Sequence, residues 1–220
     1  MRRVLIALAG FFVGMQTANA AVVYNSWTSN EGHSGNYVLT VSQAAAGALD
    51  FSFTVEPWNA EALGLFVNLG NVDLGSVSLS SIAPAGKVTL FATDTTSNAC
   101  GAGCNLNGLS VPAMAGDDGE WELVFRLGTQ GYEGIQSFGF RVAVDGLELT
   151  ESMLGTVAVR AQQLCNAGQS LPGGNCGGSD KSWGLPALTQ EPAPIPEPGI
   201  GALFGLGILG LLTGLRRRRV

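Results

Sequence analysis

Leu49-Asp50-Phe51-Ser52-Phe53-Thr54-Val55 alternates apolar and polar residues at every step. A period of two places Leu49, Phe51, Phe53 and Val55 on one side of an extended chain, and Asp50, Ser52 and Thr54 on the other. A strand with one apolar face suits an antiparallel sheet laid on a core. The pattern recurs downstream. Trp121, Leu123, Phe125 and Leu127 alternate with Glu120, Glu122 and Arg126. Phe138, Phe140, Val142 and Val144 alternate with Gly139, Arg141 and Asp145, and Val157, Val159 and Ala161 with Ala158, Arg160 and Gln162. Leu63 to Leu69 is apolar nearly throughout and reads as a buried strand. Ala21 to Trp27, Tyr37 to Ser42, Val72 to Leu79 and Val88 to Thr93 are further β-rich runs. The loops between them are rich in Gly, Asn, Asp and Ser, as short turns require. One helical turn fits at Asn59-Ala60-Glu61-Ala62, and Gly168 to Ser182 reads as the least regular stretch. Roughly eight to ten strands in one domain predict an all-β antiparallel β-sandwich, jelly-roll-like or immunoglobulin-like. The jelly-roll type is the preferred expectation.

Both ends of the chain read as addresses. Arg2 and Arg3 precede an apolar core from Val4 to Val13, and Ala18-Asn19-Ala20 is a small-x-small cleavage site before Ala21. Residues 1–20 are therefore expected to be a signal peptide, cut between Ala20 and Ala21. The exported body is expected to span 21–189. Residues 190–198 form a linker with Pro192, Pro194, Pro196 and Pro198. Such a linker is extended, about 3.1 Å per residue, and holds the body roughly 25 Å from a membrane. The uncharged run 199–215 is at the short limit of about 17 residues for a transmembrane helix. Arg216, Arg217, Arg218 and Arg219 follow it, which places 216–220 in the cytoplasm.

The tripartite order Pro196-Glu197-Pro198, short Gly/Leu-rich helix and terminal arginine cluster resembles the sorting signal of PEP-CTERM proteins. That family occurs in Gram-negative bacteria that make extracellular polysaccharide. The resemblance covers only the tail. It implies recognition by exosortase, a membrane-embedded transpeptidase, with removal of the tail near the motif and delivery of the body to the cell surface. Signal peptidase, the secretion machinery and a transient stay in the inner membrane complete the expected partners.

With the leader and the arginine tail removed, the five basic residues Lys87, Arg126, Arg141, Arg160 and Lys181 face all 17 acids, counting Glu191 and Glu197 of the linker, a net charge near −12. Such a surface repels nucleic-acid phosphates and anionic lipid. Four cysteines lie in two local pairs, Cys100 with Cys104 and Cys165 with Cys176. In an oxidising compartment disulfides are expected; three connectivities exist, and the local one is preferred. Closing the Cys165–Cys176 loop removes about 3 kcal/mol of unfolded-chain entropy in the simple loop model.

Candidate chemistry is sparse. His33, the only histidine, lies in the loop Ser29 to Gly35, and no Gly-x-Ser-x-Gly element supplies a nucleophile beside it. Asp117, Asp118 and Glu120 form the densest acidic cluster, the residue type that Ca²⁺ takes, with Asp73, Asp94 and Asp145 as contributors from other loops. The competing reading is a hairpin turn leading into the Trp121 strand, with no cofactor at all. Of the four tryptophans, Trp58 after Pro57 and Trp183 in a Gly/Ser-rich loop are the candidates to stack on sugar rings, while Trp121 reads as core.

These features predict a non-catalytic surface or matrix module that interacts with extracellular polysaccharide. A glycan hydrolase or lyase on the same scaffold, and a self-associating structural subunit, are the alternatives. N-terminal sequencing of the exported protein is expected to start at Ala21; material that keeps residues 1–20 overturns the leader assignment.

Overall fold

The computed structural model describes residues 21–44, 47–95, 100, 103–112, 118–129 and 131–188. The expected signal peptide with Ala20, the linker, the Pro196-Glu197-Pro198 motif, the 199–215 helix, Arg216 to Arg219, and Asp117 all lie outside the described residues. Among the described residues no helix is long and apolar enough to cross a membrane.

The body is all-β. Among the described residues twelve strands run β1 (Val22–Tyr24), β2 (Thr28–Ser29), β3 (Tyr37–Gln43), β4 (Leu49–Val55), β5 (Glu61–Val67), β6 (Val77–Ala83), β7 (Val88–Thr95), β8 (Trp121–Leu127), β9 (Ser137–Val144), β10 (Val157–Leu164), β11 (Gly178–Gly184) and β12 (Ala187–Leu188). They form two six-stranded antiparallel sheets, ordered β12-β1-β3-β4-β9-β6 and β2-β11-β10-β5-β8-β7. A 3-10 turn at Glu151–Met153 interrupts the β9–β10 connection.

The alternating residues meet as their period dictates. Leu49, Phe51, Phe53 and Val55 of β4 and Phe138, Phe140 and Val142 of β9 join Leu65, Val67, Leu123, Phe125, Leu127, Val157 and Val159 of the other sheet in one core. Phe51 and Phe140 stack with ring centres 5.0 Å apart, and Phe125 reaches them from the second sheet at 6.0 and 4.7 Å. Fully burying each such side chain contributes about 1.5–3 kcal/mol.

A smaller core covers the outer face of the second sheet. Leu63, Phe66, Val124 and Ala158 point outward but are capped by Cys100, Cys104, Leu106 and Trp121. All seven residues of β5 are buried for this reason, and so is Glu122 on β8, whose alternation predicted exposure. Glu122 Oε2 accepts the Leu69 backbone N–H at 2.5 Å, which satisfies the buried acid.

Three expectations are corrected. Residues 59–62 make no helical turn: Glu61 and Ala62 begin β5 and pair with Gln162 and Ala161. Buried Glu61 accepts the Glu133 backbone N–H at 2.5 Å, a bond fixed by tertiary contacts and invisible to local pattern. Gly178–Gly184, placed in the irregular stretch, is a full strand against β10. Its buried residues include Asp180 and Ser182, so the apolar signal of a strand is missing. The sixth strand is Val77–Ala83, and residues 72–76 belong to no strand.

Register fixes the two ends of the body. The pairs Tyr37↔Val55, Thr54↔Ser137, Gln162↔Glu61, Leu164↔Gly178 and Val88↔Leu127 gather the β2–β3, β4–β5, β6–β7, β8–β9 and β10–β11 connections at one end. At the other end, Gln43 pairs with Leu49, and Leu188 pairs with Val22, itself opposite Val41. The chain therefore leaves β12 heading away from the gathered loops.

The outer cap depends on one glycine. A Cβ at Gly64 would collide with Cys104 Sγ and meet Cys100 Sγ at 3.0 Å. Gly64→Ala is expected to cost about 1–3 kcal/mol, the range for overpacking. Urea unfolding checks this; an unchanged midpoint shows that the cap yields freely.

Candidate functional site

The gathered loops enclose an open cleft of about 360 Å³, lined by His33, Asn36, Asn59, Asn166, Gln169 and Ser170 among others. Three connections build it, and hydrogen bonds lock each to the next. The Asn36 backbone N–H donates to Asn59 Oδ1 at 2.7 Å, and Asn36 Nδ2 donates to the Pro57 carbonyl at 2.8 Å. The Cys165 N–H donates to the Asn59 carbonyl at 2.9 Å, and the Leu171 N–H to the Trp58 carbonyl at 2.7 Å. His33, in its Nε2–H tautomer, donates to the Cys165 carbonyl at 3.2 Å.

The β10–β11 connection carries its own constraints. A disulfide joins Cys165 to Cys176 across its base. Within it the Asn166 N–H donates to the Asn175 carbonyl at 3.2 Å, and the Asn175 N–H to Gln169 Oε1 at 2.9 Å. The second disulfide, Cys100 to Cys104, belongs to the outer cap. Both local pairings follow the spacing expectation.

Beneath the β2–β3 connection lies a buried carboxylate. Asp180 on β11 is 0 % exposed. Its oxygens accept from Ser29 Oγ at 2.6 Å, the Gly35 N–H at 3.1 Å, the Tyr37 hydroxyl at 2.8 Å, and Ser182 Oγ at 2.8 and 2.9 Å. Ser29 and Gly35 bracket the loop that carries His33 and Ser34. Burial, then the nearby Asp180 charge, holds the Tyr37 hydroxyl well above the usual tyrosine range, so it remains a donor. Arg160 donates to the Asp180 backbone carbonyl at 3.1 Å, and burial lowers its affinity for its proton.

The tryptophans separate. Trp58 sits in sequence between the lining residues Pro57 and Asn59, packs on the main core, and stacks on Tyr132 at 5.8 Å and 21°. Tyr132 is 50 % exposed. Trp58 Nε1 is buried without a hydrogen-bond partner. Trp183 is corrected: it lies on β11, not in a loop, and packs on the outer cap. Trp121 is core, edge-on to Phe66 at 5.7 Å.

The acidic candidates lie elsewhere. Asp118 Oδ1 accepts the Glu120 N–H at 2.9 Å, closing the turn before β8. Burial raises the Asp94 carboxyl pKa, and the charges of Asp73 and Asp118 raise it further. Among the described residues no group of three or more His, Cys, Asp or Glu side chains is placed to hold a metal ion.

Sequence reasoning singled out His33 and Trp58 at this end but not Asn36, Asn59, Asn166, Gln169 or Asp180. No local signal separated these amides from the Asn and Gln of the other connections, such as Asn71, Asn105 and Asn107.

Residues 194–219 match the PEP-CTERM protein-sorting motif. The motif implies an exported, membrane-anchored precursor processed by exosortase for the cell surface. No curated protein and no solved structure matches the chain.

Asp180→Ala strands at least the Gly35 N–H and the Tyr37 hydroxyl without an acceptor. At about 1–3 kcal/mol for each orphaned buried group, a loss of roughly 3 kcal/mol or more is expected from urea unfolding. A loss under about 1 kcal/mol would show that water replaces the carboxylate at little cost.

Proposed function

We propose that the chain is an exported, non-catalytic interaction module that its C-terminal signal delivers to the cell surface, where it engages extracellular polysaccharide. Signal peptidase and the secretion machinery handle the precursor, which stays transiently in the inner membrane. Nucleic acid is not a partner for a body of this acidity. The observation that carries the reading is the placement of the two ends. The loop cleft lies at one end of the body and the strand leading to the sorting tail at the other. A tethered precursor thus presents the cleft outward, and so does a surface-attached product.

The two packed sheets support a β-sandwich of the jelly-roll type. Successive strands β4, β5, β6 and β7 alternate between the sheets, and the returning strands pair in nested fashion, β8 with β5 and β9 with β4. The edges argue against a subunit that polymerises through strand pairing. Among the described residues β2 and β12 have two residues each, and β6 and β7 carry register shifts at Ser80/Ala83 and Leu90/Ala92. Short and bulged edges resist edge-to-edge pairing.

Glu197 supplies the single charge inside Pro196-Glu197-Pro198. Glu197→Ala is expected to insert normally and to accumulate as full-length protein in the membrane. Replacement of Arg216 to Arg219 is expected instead to impair membrane stopping. Immunoblots of membrane and released fractions, with and without exosortase, distinguish these outcomes. Wild-type processing of Glu197→Ala overturns sorting through the motif. The interaction role is checked by co-sedimentation of the released protein with the host's extracellular polysaccharide.

A further inference from the structure

We infer that the loop-end cleft is the binding site for a segment of an uncharged polysaccharide. The inference rests on the proposed interaction role and names its site and ligand chemistry. The lining contains no Asp, Glu, Lys or Arg, and His33 is its one titratable side chain. With no fixed charge, the cleft offers neither counter-charge for phosphate, sulfate or uronate nor carboxylates for a cation. What it offers is neutral polarity. Asn166, Ser34 and Ser170 line it, and their side chains have no protein partner among the described residues. Asn59 and Gln169 use their side-chain oxygens within the protein, at 2.7 and 2.9 Å, which leaves each amide NH₂ free to donate.

Amides and hydroxyls both donate and accept. They match the hydroxyls of a sugar ring, which also do both. A volume of about 360 Å³ is at the lower end of the ~300–1,000 Å³ range of small-molecule sites and takes a short saccharide segment. The cleft is open to solvent, so a saccharide longer than the cleft need not be enclosed along its whole length. The Trp58–Tyr132 stack belongs to the same end of the body and leaves Tyr132 half exposed. A flat aromatic ring there gives the C–H face of a neighbouring sugar an apolar surface to rest on.

The loops are also held before any ligand arrives. The Cys165–Cys176 disulfide, the Asp180 carboxylate and the bonds from Asn36 to Asn59 and Pro57 hold all three connections. Such preorganisation lowers the ordering cost of binding.

The test uses the full chain in a zwitterionic detergent free of sugar headgroups, with calorimetry against cello-, malto-, manno- and galacto-oligosaccharides. Alginate, a polyanion, and a pool of uncharged peptides are the competing probes. At least one neutral saccharide series is expected to bind, with affinity rising with chain length. Asn166→Ala combined with Ser170→Ala is expected to weaken binding by about ten-fold or more, the worth of two lost hydrogen bonds. Because both side chains are exposed and without protein partners, thermal stability should be unchanged. Ala167→Trp, at an exposed lining position, fills the cleft and is expected to abolish binding. Binding by alginate or the peptides alone, no saccharide binding tighter than about 10 mM, or full affinity in both variants each overturns the inference. If the cleft variants still co-sediment with the host polysaccharide, the surface role stands and this site for it falls.

Discussion

Asp180 has no access to solvent, yet two backbone and side-chain layers converge on its carboxylate. Tyr37 reaches it from β3 of one sheet, while Ser182 and Asp180 itself belong to β11 of the other. Ser29 and Gly35 reach it from the two ends of the connection between the sheets. Burying a carboxylate is costly unless its lone pairs are filled, and charge-assisted bonds are the strong ones. The carboxylate therefore tolerates few rearrangements of the groups around it. Ser29 and Gly35 thereby anchor both ends of the β2–β3 connection to one carboxylate. Trp27 adds to this, donating from Nε1 to the Tyr37 carbonyl at 2.7 Å and meeting the Tyr37 ring edge-on.

The rest of the body is organised around that fixed end. The aromatic contact of Phe51, Phe125 and Phe140 joins the sheets midway, and the capped outer face buries β5 on both sides. Two interior layers on a single central strand leave little freedom for register to slip. Gly64 marks where the cap approaches closest, its missing side chain making room for the Cys100–Cys104 disulfide. The body is strongly acidic, whereas the cleft lining carries no Asp, Glu, Lys or Arg. Arg141 and Lys87, paired with Asp50 and Glu133, are spent on the body's own surface.

The sequence by itself determined the class and the address. Period-two runs such as Leu49–Val55 specify one buried face whatever their neighbours are, because alternation follows from the geometry of a single extended chain. The tail was equally legible, since proline, a short apolar run and arginines act through local backbone and solvation preferences. The cysteine pairing was readable because each pair is close in sequence. Only the tertiary structure decided the rest. β11 escaped notice because its buried residues are polar, and they are satisfied by partners as distant in sequence as Ser29 and Tyr37. Glu61 and Glu122 became interior because other segments supply their hydrogen bonds, at Glu133 and Leu69. The cleft is made of amides that look like ordinary turn residues one loop at a time. Strand register alone brings Asn36, Asn59 and Asn166 to the same end, and register is set by the pairing of separate segments, β3 with β4 and β5 with β10, which no local pattern encodes.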